Sequence, residues 1–428
     1  MPQFRPFRGI RYTAAAGALD DLLAPPYDVI SPAQQRQLAG RSTRNAVHLE
    51  LADGGEERYA RVADLFQAWE RDGYLQRDDI PMFYVYEQTF VEAGREYHRR
   101  ALMAEVEAQP WDEGAVKPHE FTMSGPKEDR LKLLEATKVQ FSPVFMIARD
   151  RAGQLRQFLD QTVESRAADA EATTIDGDRH RLWVIEAGRL EMRFLAPLLA
   201  ESFYIADGHH RYETAVNYRN TLLEREGTLA HDHPARYAMT AIVPAADPGL
   251  VIRPIHRIVP RRAPATWEQT LAGNFVIEAV KPIGGLADRA REFEARLAAN
   301  PGCIVALNLD PGMAHVLTAR GPEVAAAIAP SGYSAEWAGI SPNLLRYGVL
   351  APLWSIGDDD LRLGAVEYTH DALEAVERAE GDAAVFLISH VGIESVMSLA
   401  DQGERMPQKS TFFHPKLGTG IVFHPLYE

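Results

Sequence analysis

Between residues 202 and 226 the sequence changes period within a few positions, and that change constrains the chain more than any other feature. Ser202-Phe203-Tyr204-Ile205 is a short apolar run that suits a strand. Asp207-Gly208 follows as a tight turn, and from Arg211 to Glu226 the pattern is helical. A strand that turns directly into a helix leaves the first backbone N–H groups of that helix unpaired, at the positive end of its dipole. Such a terminus holds anions, so Gly208, His209, His210 and Arg211 form a candidate phosphate cradle. Arg211 can add two parallel hydrogen bonds to a phosphate. The plainer alternative is that Asp207 caps the helix and the histidines sit on its surface.

Adjacent histidines also raise zinc, but neighbours at i and i+1 point to different sides of a helix, and no His-Glu-x-x-His pattern completes a cluster. Mg²⁺ fits better, held by Asp207 or another carboxylate together with a ligand's phosphates. Two further charged segments carry candidate chemistry. In Lys117-Pro118-His119-Glu120-Phe121-Thr122 and Lys127-Glu128-Asp129-Arg130, the cations Lys117, Lys127 and Arg130 can neutralise phosphate charge. Glu120 or His119 can accept a hydroxyl proton. The bland reading of this segment is a solvated loop and helix. In residues 409–416 two lysines, Lys409 and Lys416, bracket a strand-like stretch, where an edge-strand role is the alternative.

The remaining pattern alternates helix and strand. A helix fits residues 59–71, where Val62, Leu65, Phe66 and Trp69 recur at three- and four-residue steps. Strands fit 82–90 and 96–106 around the turn Glu92-Ala93-Gly94, then 141–147, 181–185, 238–243, 251–259 and 303–309. Pro25-Pro26-Tyr27-Asp28 reads as a rigid corner, and residues 167–178 as a helix end and exposed loop. The class expected is α+β, in the sense of mixed α/β. Three lobes are expected: 1–150, 151–265 with the glycine–histidine turn, and 266–428 with an extended tail.

At 428 residues, with 46% hydrophobic and 25% charged residues, the chain has material for a substantial core. The lone Cys303 sits in an apolar run and reads as a small buried hydrophobe. With no disulfide to form, no signal-peptide core and no membrane-length apolar window, a soluble cytoplasmic protein is expected. The formal net charge of −15 argues against a nucleic-acid partner. Arg99-Arg100 and the basic run from Arg253 to Arg262 read as solvated strand or loop faces. There is no Walker-type loop, nucleophile elbow or kinase catalytic loop.

Taken together, Arg5-Pro6-Phe7-Arg8, residues 25–31, 117–130, 181–185 and 206–211, and Met406 to Lys416 closely resemble the family of domain of unknown function 1015. The resemblance spans nearly the whole chain. The glycine–histidine turn is also similar to that of the ParB/sulfiredoxin superfamily, including the free serine kinases. There a Gly-x-x-Arg turn holds nucleotide phosphates, and here Gly208 to Arg211 fall on it. In the free serine kinases an Asp-Gly-His-x-Arg version serves phosphate transfer to L-serine, so Asp207 matches as well. The resemblance implies a ParB/sulfiredoxin-like core with large insertions and additional α/β lobes.

It further implies a phosphotransferase moving phosphate from ATP, ADP or pyrophosphate to a small hydroxyl acceptor. Asp207, Glu120 and His119 would be catalytic, with Mg²⁺ on Asp207. Gly208, His209, His210, Arg211, Lys117, Lys127, Arg130 and Lys416 would hold phosphate. The alternatives are a nucleotide-binding sensor without turnover and a nucleotide hydrolase. Two departures stand out. The turn lies about 200 residues into the chain, and His209 stands where sulfiredoxins carry their cysteine.

Overall fold

In the computed structural model of the chain, residues 3–121 and 124–427 are described, and the side chains of residues 112, 124–127, 189 and 190 stand outside that description. The chain forms two compact units. The first comprises residues 1–118, 122–251 and 415–428, and the second residues 119–121 and 252–414.

The first unit opens with β1 (Phe4–Arg5) and β2 (Ile10–Tyr12), then the helices α1 (Pro32–Arg41), α2 (Val47–Glu50) and α3 (Glu57–Arg71). After β3 (Leu75–Arg77), the long strands β4 (Met82–Glu92) and β5 (Arg95–Glu107) form a hairpin whose turn needs positive φ at both Ala93 and Gly94. There follow β6 (Val116–Lys117), α4 (Ser124–Thr137), β7 (Val139–Gln140), β8 (Val144–Ala148) and α5 (Gln154–Ser165). The unit continues through β9 (Ala170–Thr173), β10 (Arg179–Glu186), α6 (Arg189–Leu195), β11 (Phe203–Asp207), α7 (His209–Glu226) and β12 (Tyr237–Pro244).

Nine of these strands make one sheet in the order β6-β11-β8-β12-β5-β4-β10-β9, with β1 on β5. The pairs β11–β6 and β12–β8 are parallel and the rest antiparallel, so the sheet is mixed. Strands drawn from before and after residue 150 are interleaved within it, β11 and β12 flanking β8. One face buries Val85, Leu102, Ala104, Met146, Trp183, Phe203 and Ile205 against Leu155, Leu159, Tyr212 and Ala215 of the covering helices. At about 25 cal/mol per Å² of buried apolar surface, this layer supplies the main drive to fold the unit. A second cluster joins Val62, Phe66 and Trp69 of α3 to Leu133, Phe141 and Phe423. Phe423 belongs to the C-terminal segment, which returns to the first unit. There it bridges Ile10, and His424 and Pro425 pair with β7.

The second unit is built on a six-stranded antiparallel sheet whose strands, in order, are Phe275–Val280, Ala314–Ala319, Cys303–Leu307, Ala384–Ile388, His256–Val259 and Glu367–Thr369. Both faces are covered. Ile304, Ala306, Phe386 and Ile388 pack on one side, and Cys303, Val305, Val385 and Leu387 on the other. That explains why 303–307 is apolar without alternation, and it buries the free Cys303.

The mixed α/β class read from the sequence holds. Three local expectations do not. Residues 170–173 form a strand rather than loop, and the 251–259 run is two strands, Val251–Arg253 and His256–Val259, because Pro254 interrupts it. Arg99 and Arg257 are not solvated: they are 1% and 5% exposed. No helix among the described residues is long and apolar enough to cross a membrane.

Candidate functional site

β11 runs Phe203 to Asp207 and α7 begins at His209, so one residue makes the whole connection. That residue is Gly208, with φ 88° and ψ 29°. An L side chain disfavours this left-handed geometry, and a Cβ here would stand 3.0 Å from the Arg211 guanidinium. Glycine is therefore required twice, for the backbone and for the space Arg211 occupies. Gly208 is the N-cap of the 18-residue α7 and no side chain caps it.

Asp207 instead faces two cations. Arg211 Nη2 donates to its Oδ2 at 2.6 Å, and Lys416 Nζ donates to its Oδ1. The three side chains are only 11–12% exposed. Burial alone would push the Asp207 carboxyl up, but Lys416 and Arg211 outweigh it and hold the group well below the usual carboxylate range. Burial lowers the Arg211 guanidinium, and Asp207 more than reverses this. Arg211 Nη1 also donates to the Pro143 carbonyl at 2.5 Å, which fixes the fork. The triad carries two positive charges and one negative in a largely buried position.

Lys416 reaches Asp207 because its backbone is clamped. Gln88 Nε2 donates to the Lys416 carbonyl at 2.9 Å, and Arg99 Nη2 donates to the Pro415 carbonyl at 2.5 Å and to Gln88 Oε1. Arg99 lies over the Phe145 ring at 4.8 Å, and burial lowers its guanidinium to about 10. Two residues further on, the Gly418 N–H donates to the Tyr86 hydroxyl, which bonds His180 Nδ1 at 2.6 Å. Burial, with Arg99 nearby, lowers the His180 imidazole to about 4, so it is neutral.

On the other flank, Tyr27 of the Pro-Pro-Tyr-Asp corner and Glu50 join Arg211 and Arg130 around a cavity of about 50 Å³. Arg130 stacks on the Tyr27 ring at 4.2 Å and donates to Glu50 Oε2 at 3.0 Å and to Asp129 Oδ2 at 2.8 Å. Burial raises the Tyr27 hydroxyl to about 12, with Arg211 and Arg130 opposing the rise.

The structure thus brings Asp207, Gly208, Arg211, Lys416 and Arg130 into one neighbourhood. His209 is buried at the start of α7, and His210 is half-buried beside it. Lys117 lies on β6, directly beside Tyr204 of β11, with its Nζ 5.9 Å from that ring. Lys127 falls in α4, but its side chain lies outside the described ones.

His119 and Glu120 belong to the second unit. There Glu120 Oε1 accepts from the Ser410 and Thr411 N–H groups, each at 3.1 Å, and His119 Nε2 bonds Thr411 Oγ1 at 2.9 Å. These bonds tie residues 119–120 to the turn at 410–411. Sequence reasoning missed Arg99, Gln88, Tyr27 and Glu50. For Tyr27 a signal existed, in the rigid Pro25-Pro26 corner.

Both oxygens of Asp207 are engaged by cations, and among the described residues no group of three or more His, Cys, Asp or Glu is placed to hold a metal ion.

Fold and site together define a mixed α/β protein with a strand–turn–helix junction at which Arg211 and Lys416 converge on Asp207. The chain belongs to the family described as Protein of unknown function (DUF1015), whose model matches residues 4–314. No curated protein matches it. Among solved structures it is similar to a free serine kinase variant in complex with ADP, at 14% identity and TM-score 0.35, covering 73% of this chain and 86% of that one. It is also similar to a conserved hypothetical protein from Pyrococcus furiosus, at 15% identity and TM-score 0.33, covering 74% and 93%. A third likeness is to C-terminally truncated SbnI from Staphylococcus aureus, at 10% identity and TM-score 0.35, covering 76% and 87%. All three are faint.

Proposed function

We propose that the first unit binds the phosphates of a donor, ATP, ADP or pyrophosphate, on Gly208 to Arg211, and that the protein transfers phosphate to a small hydroxyl compound such as L-serine. The observation that carries this reading is the convergence of Arg211 and Lys416 on Asp207 at a left-handed glycine where α7 begins. The triad's excess positive charge and the helix terminus both favour an arriving phosphate. A phosphate also offers two acceptor oxygens to the planar guanidinium fork of Arg211. The Asp-Gly-His-x-Arg pattern of residues 207–211 supports the same class of chemistry.

Phosphoryl transfer asks mainly for positioning and charge stabilisation. The acceptor oxygen forms a bond to phosphorus as the bond to the leaving group breaks, and the hydroxyl proton passes to solvent or a base. Arg211, Lys416 and Arg130 would hold the charge on the transferring group, with Lys117 beside β11. When present, Mg²⁺ would be carried in on the donor's phosphates, since Asp207 is already paired.

The test is phosphorus NMR on the full chain with Mg²⁺, L-serine and each donor in turn. O-phosphoserine is expected with at least one donor, reduced at least a hundredfold in Arg211→Ala. Donor breakdown that ignores serine would mark a hydrolase instead. Tight binding without any turnover would mark a sensor.

A further inference from the structure

Arg130 is a wall shared by two cavities. On one side lies the small cavity that Arg211 and Tyr27 line. On the other lies a larger one of about 310 Å³ among α2, α3 and α4, which Glu50, Arg58, Tyr59 and Asp129 line together with Arg130. Such a volume is at the lower end of small-molecule sites.

Its charged wall is a chain of alternating sign. Glu50 accepts from Arg130, Arg130 donates to Asp129, and Asp129 accepts from Arg58 Nη2 at 2.6 Å and from the Tyr59 hydroxyl at 2.8 Å. Burial raises the Asp129 carboxyl, but Arg130, Tyr59 and Arg58 prevail and keep it below its ordinary range. The inner members are buried, Glu50 at 3% and Arg130 at 9% exposed, whereas Arg58 and Asp129 are about a third exposed. The chain of charges therefore runs from the cavity mouth to the wall shared with Arg211. Asp53, at the mouth, is exposed. Leu49, Leu51, Val62 and Leu133 supply sizeable apolar lining beside the charged wall.

We propose that this cavity is the acceptor site and that it takes a small zwitterion, an amino acid with a hydroxyl side chain. Its carboxylate pairs with Arg58, its ammonium with Asp53 and Glu50, and its hydroxyl is directed toward Arg130 and the phosphate side. A cavity wall carrying both signs of charge suits a ligand carrying both, and rewards neither a plain anion nor a plain cation. The assignment rests on the phosphoryl reading above and adds the place and class of the acceptor.

The experiment is calorimetric titration of L-serine, L-threonine and L-homoserine into the full chain, with and without saturating pyrophosphate, alongside titration of pyrophosphate itself. At least one amino acid is expected to bind. Its affinity should fall at least tenfold in Arg58→Gln and in Asp53→Asn, the latter at an exposed position that folding does not need. Pyrophosphate affinity should change less than threefold in both. Absence of amino-acid binding under either condition overturns the pocket, as does wild-type affinity in both variants. Pyrophosphate binding without amino-acid binding sinks the pocket alone. Amino-acid binding lost in the variants, with no binding of pyrophosphate or, titrated in the same way, of ATP or ADP, upholds the pocket and sinks the phosphoryl reading.

Discussion

Replacing Asp207 by Asn keeps the side-chain shape and one acceptor oxygen while removing the charge that holds two buried cations together. Removing one partner of a buried ion pair costs about 3–5 kcal/mol, because the charge left behind is neither solvated nor matched. Here the retained amide oxygen and the Pro143 carbonyl still accept from Arg211, so the lower figure, about 3 kcal/mol, applies. At roughly 2–4 °C per kcal/mol, the first unit's unfolding midpoint should drop by about 6–12 °C.

The acid response should change as well. The folded wild type holds the Asp207 carboxyl below its unfolded value, so that stability is present above about pH 4 and is lost as the pH falls further. Asp207→Asn lacks this acid limb. The variant should also gain from anions, since pyrophosphate no longer competes with a resident carboxylate for Lys416 and Arg211. At a hundredfold excess over its dissociation constant a ligand stabilises by about 2.7 kcal/mol, enough to recover most of the loss. Differential scanning fluorimetry across pH 3–8, with and without pyrophosphate, reads all three effects. A variant as stable as wild type would refute the reasoning, as would one that pyrophosphate stabilises less than it does wild type.

Two further outcomes follow from the same geometry. Gly208→Ala should destabilise by about 1–2 kcal/mol from its left-handed φ alone, and more as its Cβ displaces the Arg211 guanidinium; urea denaturation checks this. For His180, whose imidazole is lowered to about 4, the unfolded chain takes up a proton below about pH 6.5 that the folded chain refuses. Stability is therefore full above that pH and declines toward pH 4, by about 3 kcal/mol. In His180→Phe this part of the decline should vanish when denaturation midpoints at pH 7 and pH 5 are compared, and an unchanged difference would count against a buried neutral imidazole.

What could be read from the sequence was what is local. The β11–α7 junction is legible because period, glycine and helix start lie within ten residues, and the long hairpin because its turn is flanked by two strand-like runs. The strand at 170–173 was hidden because only Ala172 of its four residues is buried, which leaves no alternation to see. Arg99 was misread because its partners, Gln88 and Pro415, are respectively across a hairpin and 316 residues away. A buried arginine and a solvated one look alike until the chain has folded. The same holds for Lys416, visible as a motif but not as Asp207's partner 209 residues distant, and for Glu50, which only the return of α4 brings to Arg130. His119 and Glu120 were legible as chemistry but not as partners of the turn at 410–411, since Thr411 lies some 290 residues further on.

The most direct measurement is calorimetric titration of ATP, ADP and pyrophosphate into the full chain and into Arg211→Ala. The account predicts binding of at least one of them by the wild type, weakened at least tenfold in the variant while its unfolding midpoint stays above the assay temperature. A wild-type chain that binds none of them, or a folded Arg211→Ala that binds them all as tightly as wild type, would contradict it.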